Sequence, residues 1–172
     1  SPNLGTTPVT CAGGCDGTAT LGPTGGEGPY TFDWTPDPPS GDGTNSATGL
    51  CAGTYDVTIA DANGCDTTVS ILITSPLPID PAPTVTPIAC NGDCNGAISL
   101  ATTGGTGNLA YAWSPQPPVG QGTANVAQLC PGDWTVTISD DAGCDTTLTF
   151  TLTDPPVLST QAEVVQSQCQ AC

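Results

Sequence analysis

A nineteen-residue stretch, Leu50 to Thr68 (LCAGTYDVTIADANGCDTT), returns as Leu129 to Thr147 (LCPGDWTVTISDDAGCDTT), displaced by 79 residues without a gap. No other feature constrains the fold as strongly, because whatever one copy becomes the other becomes too. Within the stretch Tyr55, Val57 and Ile59 alternate with Asp56, Thr58 and Ala60, and Trp134, Val136 and Ile138 repeat the pattern. A period of two marks a strand with one buried face. Each strand runs into a turn, Asp61-Ala62-Asn63-Gly64 or Asp140-Asp141-Ala142-Gly143, whose residue types accept left-handed backbone angles. A cysteine, Cys65 or Cys144, then opens a second alternating strand. The spacing predicts the same β-hairpin twice.

The remainder of each copy reads as short strands and turns. In the first, Thr7 to Cys11 is extended, a strand passes through Ala19 and Leu21, and Tyr30, Phe32 and Trp34 share one strand face. A Pro/Gly loop over 35–43, a strand through Thr44 to Leu50 and a closing strand with Val69, Ile71 and Ile73 complete it. Strands this short, with turns roughly every 8 to 12 residues, predict an all-β fold of tandem Ig-like antiparallel β-sandwich modules. Two repeats are expected, over 1–76 and 77–155. A third begins in 156–172, since Cys169 stands 79 residues after Cys90 and Cys172 falls near the place of a second repeat cysteine. Pro76 to Pro83, with four prolines in eight residues, predicts a stiff polyproline spacer.

Charge narrows the function. The chain has no Lys, Arg or His against 16 acidic residues, a formal net charge of −16. Nucleic acid and anionic lipid both need cations to meet them, so neither is a partner. Imidazole bases, Schiff-base lysines and arginine clamps are all missing, which argues against an enzyme. No apolar run approaches the ~18 residues of a membrane span, so no membrane insertion is expected. Ten cysteines in 172 residues point to an oxidising, extracellular compartment and a disulfide-stapled fold. The chain reads as a piece of a larger secreted protein.

Four cysteines per repeat allow three connectivities. Cys51 precedes the strand that ends before Cys65, a separation on the order of 25 Å, so those two do not pair. Cys11–Cys65 with Cys15–Cys51, or Cys11–Cys51 with Cys15–Cys65, both remain. Zinc lacks a second half-site of suitable spacing.

The oxygen-rich turns offer a second candidate site. Asp61 and Asp66, with Asp140 and Asp145 one repeat later, are candidate Ca2+ ligands at a junction, with Asp80 or Asp154 as partners. The competing reading is that turn carboxylates bond their own backbone. Asp66-Thr67-Thr68 and Asp145-Thr146-Thr147 match a bacterial O-glycosylation pattern, which makes Thr67 and Thr146 acceptors. Trp34 and Trp113 sit where a sandwich buries its core tryptophan. Tyr55 looks like a tyrosine corner, and Trp134 in its place removes the hydroxyl.

The combination Cys11-x-Gly-x-x-Asp-Gly17, Gly25-Gly26, Pro29-Tyr30-x-Phe32-x-Trp34 and Leu50-x-x-Gly53-x-Tyr55-x-Val57-x-Ile59-x-Asp61-Ala-Asn-Gly-Cys65 resembles the SprB repeat of Bacteroidota cell-surface proteins. The resemblance extends over nearly all of both repeats. It implies a gliding or adhesion protein exported by type IX secretion and displayed as a filament of many such modules. Simpler members keep cysteines matching Cys11 and Cys65, which implies the pairs Cys11–Cys65, Cys15–Cys51, Cys90–Cys144 and Cys94–Cys130. Cys169 and Cys172 are left for partners outside the segment. Two functions follow. The repeats are a stalk that extends a binding tip, with neighbouring repeats of the same chain as partners, or they themselves bind surface glycans or like filaments. A stalk should bury Trp34, Trp113 and Trp134; a binder should present one.

Overall fold

The computed structural model describes residues 3–157. Their regular structure is all β. The first module holds β1 (Asn3–Thr7), β2 (Gly17–Gly22), β3 (Thr31–Thr35), β4 (Ser46–Leu50), β5 (Gly53–Ala60) and β6 (Asp66–Ile73). The second holds β7 (Pro83–Thr86), β8 (Gly96–Leu100), β9 (Leu109–Ser114), β10 (Asn125–Leu129), β11 (Gly132–Asp140) and β12 (Asp145–Leu152). Each module pairs two three-stranded sheets, β1-β2-β4 with β3-β5-β6 and β7-β8-β10 with β9-β11-β12. Every pairing is antiparallel. The modules are Ig-like antiparallel sandwiches.

The duplicated stretch forms the hairpin its alternation predicts. β5 and β6 pair from Gly53↔Ile73 to Ala60↔Asp66 without a slip, and β11 and β12 do the same from Gly132↔Leu152 to Ser139↔Asp145. The register is held because a one-residue shift would turn Tyr55, Val57 and Ile59 into water. These three pack with Leu21, Trp34, Leu50, Ile71 and Ile73 in the first core. Ile98, Trp113, Leu129, Val136 and Ile138 fill the second. Each core draws on both sheets of its own module.

Two expectations are corrected. Pro76 to Pro83, expected as a stiff polyproline spacer between the modules, is instead bound to the second module. Asp80 and Thr103 exchange both backbone hydrogen bonds at 2.8 Å, and Ile79 packs on the second core. The spacer is seated because its peptide groups meet the open edge beside Thr103 and because Ile79 interrupts the prolines with an apolar side chain.

The second correction concerns the cysteines. Cys15 bonds Cys51 and Cys94 bonds Cys130, each across 36 residues. Cys11 does not bond Cys65, and Cys90 does not bond Cys144. Cys11 bonds Cys144 instead, with S–S 2.03 Å, Cα–Cα 5.6 Å and a sequence separation of 133. Cys65 and Cys90 are free and exposed. The reason is reach. The Cys15–Cys51 bond fixes that part of the chain at the end where β5 starts, the near end of the module. Cys11 is kept close by by a turn in which the Gly14 amide donates to the Cys11 carbonyl at 2.9 Å. Cys65 follows the hairpin turn at the far end, roughly 25 Å away along β5. The expectations for Cys169, Cys172 and most of a third repeat over 156–172 fall outside the described residues.

Candidate functional site

The junction between the modules is where the chain departs from an ordinary pair of sandwiches. β6 runs from the far end of the first module to its near end, and the connecting segment continues to the far end of the second. The near end of one therefore abuts the far end of the next. Cys11 and Cys144, both half-buried, close the contact covalently. Beside them the Leu77 carbonyl accepts from the Gly105 amide at 3.0 Å. Gly104 lies beneath Pro78 so closely that a Cβ there would come within 1.9 Å of the Pro78 oxygen, and its φ of 76° already disfavours other residues. A space of about 360 Å3 remains among Cys11, Pro76, Leu77, Cys144 and Thr146.

The loop that presents Cys11 is braced by Asp16. Its carboxylate accepts from the Thr10 amide at 2.8 Å and from the Thr10 hydroxyl. The hydroxyl first and the amide second hold this carboxyl below the usual carboxylate range. In the second module Asn95 takes that place, accepting from the Ala89 amide at 2.9 Å. The brace survives without the charge.

The turn carboxylates serve the hairpins. Asp61 Oδ1 accepts from the amides of Asn63 and Cys65 at 3.0 and 2.9 Å, and its Oδ2 from Glu27 at 3.2 Å. Asp140 Oδ1 accepts from Ala142 and Cys144 at 3.0 and 2.9 Å, and Oδ2 from Thr106 at 2.8 Å. For Asp61 the Cys65 and Glu27 amides outweigh partial burial and lower its pKa. For Asp140 burial is the largest influence and raises it, yet the amides of Thr106, Cys144, Ala142 and Gly143 together outweigh burial and leave the pKa lowered. Of the carboxylates expected to hold calcium at the junction, Asp61, Asp66, Asp140 and Asp145, two are engaged by backbone amides, Asp61 and Asp140. Among the described residues no group of three or more His, Cys, Asp or Glu side chains is placed to hold a metal ion. The Asp61 and Asp140 oxygens face amide hydrogens, because a tight turn leaves those donors without strand partners. Thr67 is exposed and Thr146 half-buried, each two residues after its turn cysteine.

All three tryptophans are inside. Trp34 is fully buried and Trp113 and Trp134 are 4% and 7% exposed. Trp34 Nε1 donates to the Thr44 carbonyl and Trp113 Nε1 to the Thr123 carbonyl, both at 2.9 Å. Tyr55 forms the expected corner, its hydroxyl accepting from the Cys51 amide at 3.2 Å. Trp134 does not forfeit the tie, as its sequence suggested. Its indole N–H donates to the Cys130 carbonyl at 3.0 Å, so a longer ring reaches the same part of the backbone with a different donor.

The SprB repeat family matches at residues 4–38 and 82–117, the front part of each module. Both segments are SprB repeats. The match starts at corresponding places in the two modules and covers, in each SprB repeat, the first cysteine pair, the Gly-Gly turn and the core tryptophan. It does not reach the hairpin, so the family pattern is narrower than the duplication. No curated protein matches the chain. Among solved structures the chain is similar to a C-terminal 282-residue fragment of intimin in complex with the translocated intimin receptor intimin-binding domain. That likeness has 18% identity, covers 88% of this chain and 63% of the fragment, and gives a TM-score of 0.42. The amphioxus IgVJ-C2 molecule follows at 13% identity, 88% and 96% coverage and TM-score 0.33. Domains 4 and 5 of the S-layer protein SbsC follow at 15%, 87% and 97%, and 0.31. The chain thus spans under two thirds of the intimin fragment's length.

Sequence reasoning missed the junction. One signal was present: Leu77 and Ile79 alternate with prolines, the pattern of an edge strand rather than of a bare spacer. A second lay in the reach argument. Applied to Cys11 once Cys15 is placed at Cys51, it already excludes Cys65.

Proposed function

We propose that these repeats are a stalk segment of a giant secreted cell-surface adhesin, in which modules over 1–76 and 77–155 extend a binding tip away from the cell for surface adhesion or gliding. The burial of all three tryptophans carries this reading. A sugar or surface is usually met by an exposed aromatic platform with a polar handle, and here each indole N–H is already committed to a backbone carbonyl. The seated connector and the covalent junction add what a stalk requires, a fixed head-to-tail orientation. A net charge of −16 keeps neighbouring copies soluble and apart. The segment is read as non-enzymatic and extracellular, and export by type IX secretion belongs to the same proposal. Thr67, on the exposed hairpin, is the better placed of the two O-glycosylation candidates.

The test measures reach and binding separately. In the full surface protein, removing repeats in pairs should shorten the filament in electron micrographs while leaving adhesion per tip unchanged. Saturable glycan binding by the isolated chain, lost on substituting a surface residue, would overturn the stalk reading.

A further inference from the structure

We infer that the far end of the first SprB repeat is a docking face for the near end of a preceding repeat, and that Cys65 and Cys90 are the open halves of the bond that joins Cys11 to Cys144. The inference rests on the stalk reading in one respect only, that repeats follow one another along one filament. A shift of 79 residues carries Cys11 onto Cys90 and Cys65 onto Cys144. The bonded pair thus joins a repeat's first cysteine to the following repeat's fourth. In a two-repeat segment that rule leaves a fourth cysteine at one end and a first cysteine at the other, and those are the free, exposed pair.

The faces around these cysteines supply an independent observation. On the second repeat, the surface at Gly104 and Gly105 is covered by Leu77, Pro78 and Ile79. On the first repeat, none of the described residues covers the corresponding glycine, Gly25. Gly25 has the backbone angle of Gly104 (φ 82° against 76°), yet nothing lies within 4 Å of where its Cβ would be. A cavity of about 210 Å3 opens there, lined among others by Gly25, Gly26, Tyr30, Ile59, Asp61 and Cys65. It is the socket that the connector fills one repeat later. The connector's own counterpart, Pro155-Pro156-Val157, leaves the second repeat with Val157 70% exposed. The occupant is therefore the connector and first cysteine of a preceding repeat, or for the isolated segment those of a second copy. The copies would add head to tail, a heterologous contact that does not close on itself.

Bond formation joins the Cys65 and Cys90 sulfurs and releases two protons and two electrons to an acceptor disulfide. In the test this is glutathione disulfide, reduced to two glutathione thiols. The 172-residue chain, carrying Cys169→Ser and Cys172→Ser so that no tail thiol competes, is equilibrated in a glutathione redox buffer. With no Lys or Arg, the chain is cleaved before Asp instead, which puts Cys65 in peptide 61–65 and Cys90 in peptide 80–92. The expected result is a ladder of oligomers in which the mixed peptide pair exceeds the two like pairs about tenfold. An equimolar mixture of Cys65→Ser and Cys90→Ser chains should stop at the mixed dimer. Thr67→Trp, which fills the socket from its exposed rim, should suppress the mixed bond while leaving melting unchanged. Random collision of thiols would instead give mixed and like bonds in about a one-to-one ratio. That ratio, no bond at all, or an unchanged yield with Thr67→Trp in a folded chain would each overturn the inference. None of these results bears on whether the filament shortens when repeats are removed.

Discussion

The Cys11–Cys144 bond should change how the chain yields to force. A pull between the two termini enters through β1 and leaves through β12, but the bond short-circuits the 133 residues between its cysteines. Of the roughly 154 residue steps from Asn3 to Val157, about 21 lie outside the loop. Fully drawn out at ~3.3–3.6 Å per residue, they span roughly 70–75 Å. In a Cys11→Ser/Cys144→Ser chain the tension passes through both modules. The Cys15–Cys51 and Cys94–Cys130 bonds still exclude 36 residues each. About 82 steps are then extensible, or roughly 270–295 Å. The two chains should differ in contour length by about 200–220 Å. The 158–172 tail adds equally to both and drops out. Single-molecule force spectroscopy on the oxidised chain, with handles at each terminus, reads that difference directly. Without the junction bond two full module-unfolding events should appear, and with it only the stripping of β1 and β12, which lie outside the closed loop. Equal contour lengths, or extension of the bonded chain beyond what lies outside the loop, would refute the assignment of the bond and the shielding drawn from it.

Three further outcomes follow from the same geometry. Trp34→Ala should cost roughly 3–5 kcal/mol, the usual penalty for emptying a fully buried aromatic site, read from denaturant unfolding of the first module; a cost below ~1 kcal/mol would show the core to be loosely packed. The carboxyls of Asp16, Asp61 and Asp140 titrate below their unfolded value of ~3.9, so the stability they contribute is complete above that pH and is lost as pH falls through their folded values. Melting temperature should drop between pH 5 and pH 2, less steeply in Asp61→Asn/Asp140→Asn, whereas an identical drop in both chains would assign the acid sensitivity elsewhere. Because those turn carboxylates are occupied by amides, a calcium chelator should leave melting and contour length unchanged, and a chelator-dependent fall would reinstate the metal.

The hairpins were legible because period-two alternation and the turn chemistry of Asp61 to Gly64 are local properties, set within a dozen residues. Burial of Trp34 and Trp113 was legible for the same reason, since a large apolar ring on an alternating strand has one face to go to. Trp134 was harder. That its indole reaches the Cys130 carbonyl depends on the angle at which β11 leaves the corner, which no residue type encodes by itself.

What the sequence determined by itself was the module: its length, its duplication, its hairpin and its acidity. These follow from short-range patterns repeated twice, and each copy corroborates the other. Tertiary structure alone decided how one module meets the next. Cys11 and Cys144 are brought within bonding distance by the head-to-tail placement of two rigid bodies, and the peptide groups of Leu77 and Asp80 find partners only once the far end of the second sandwich exists. Such a contact is non-local. Its sequence trace is a free choice among cysteines of equal standing until distance along β5 removes one of them.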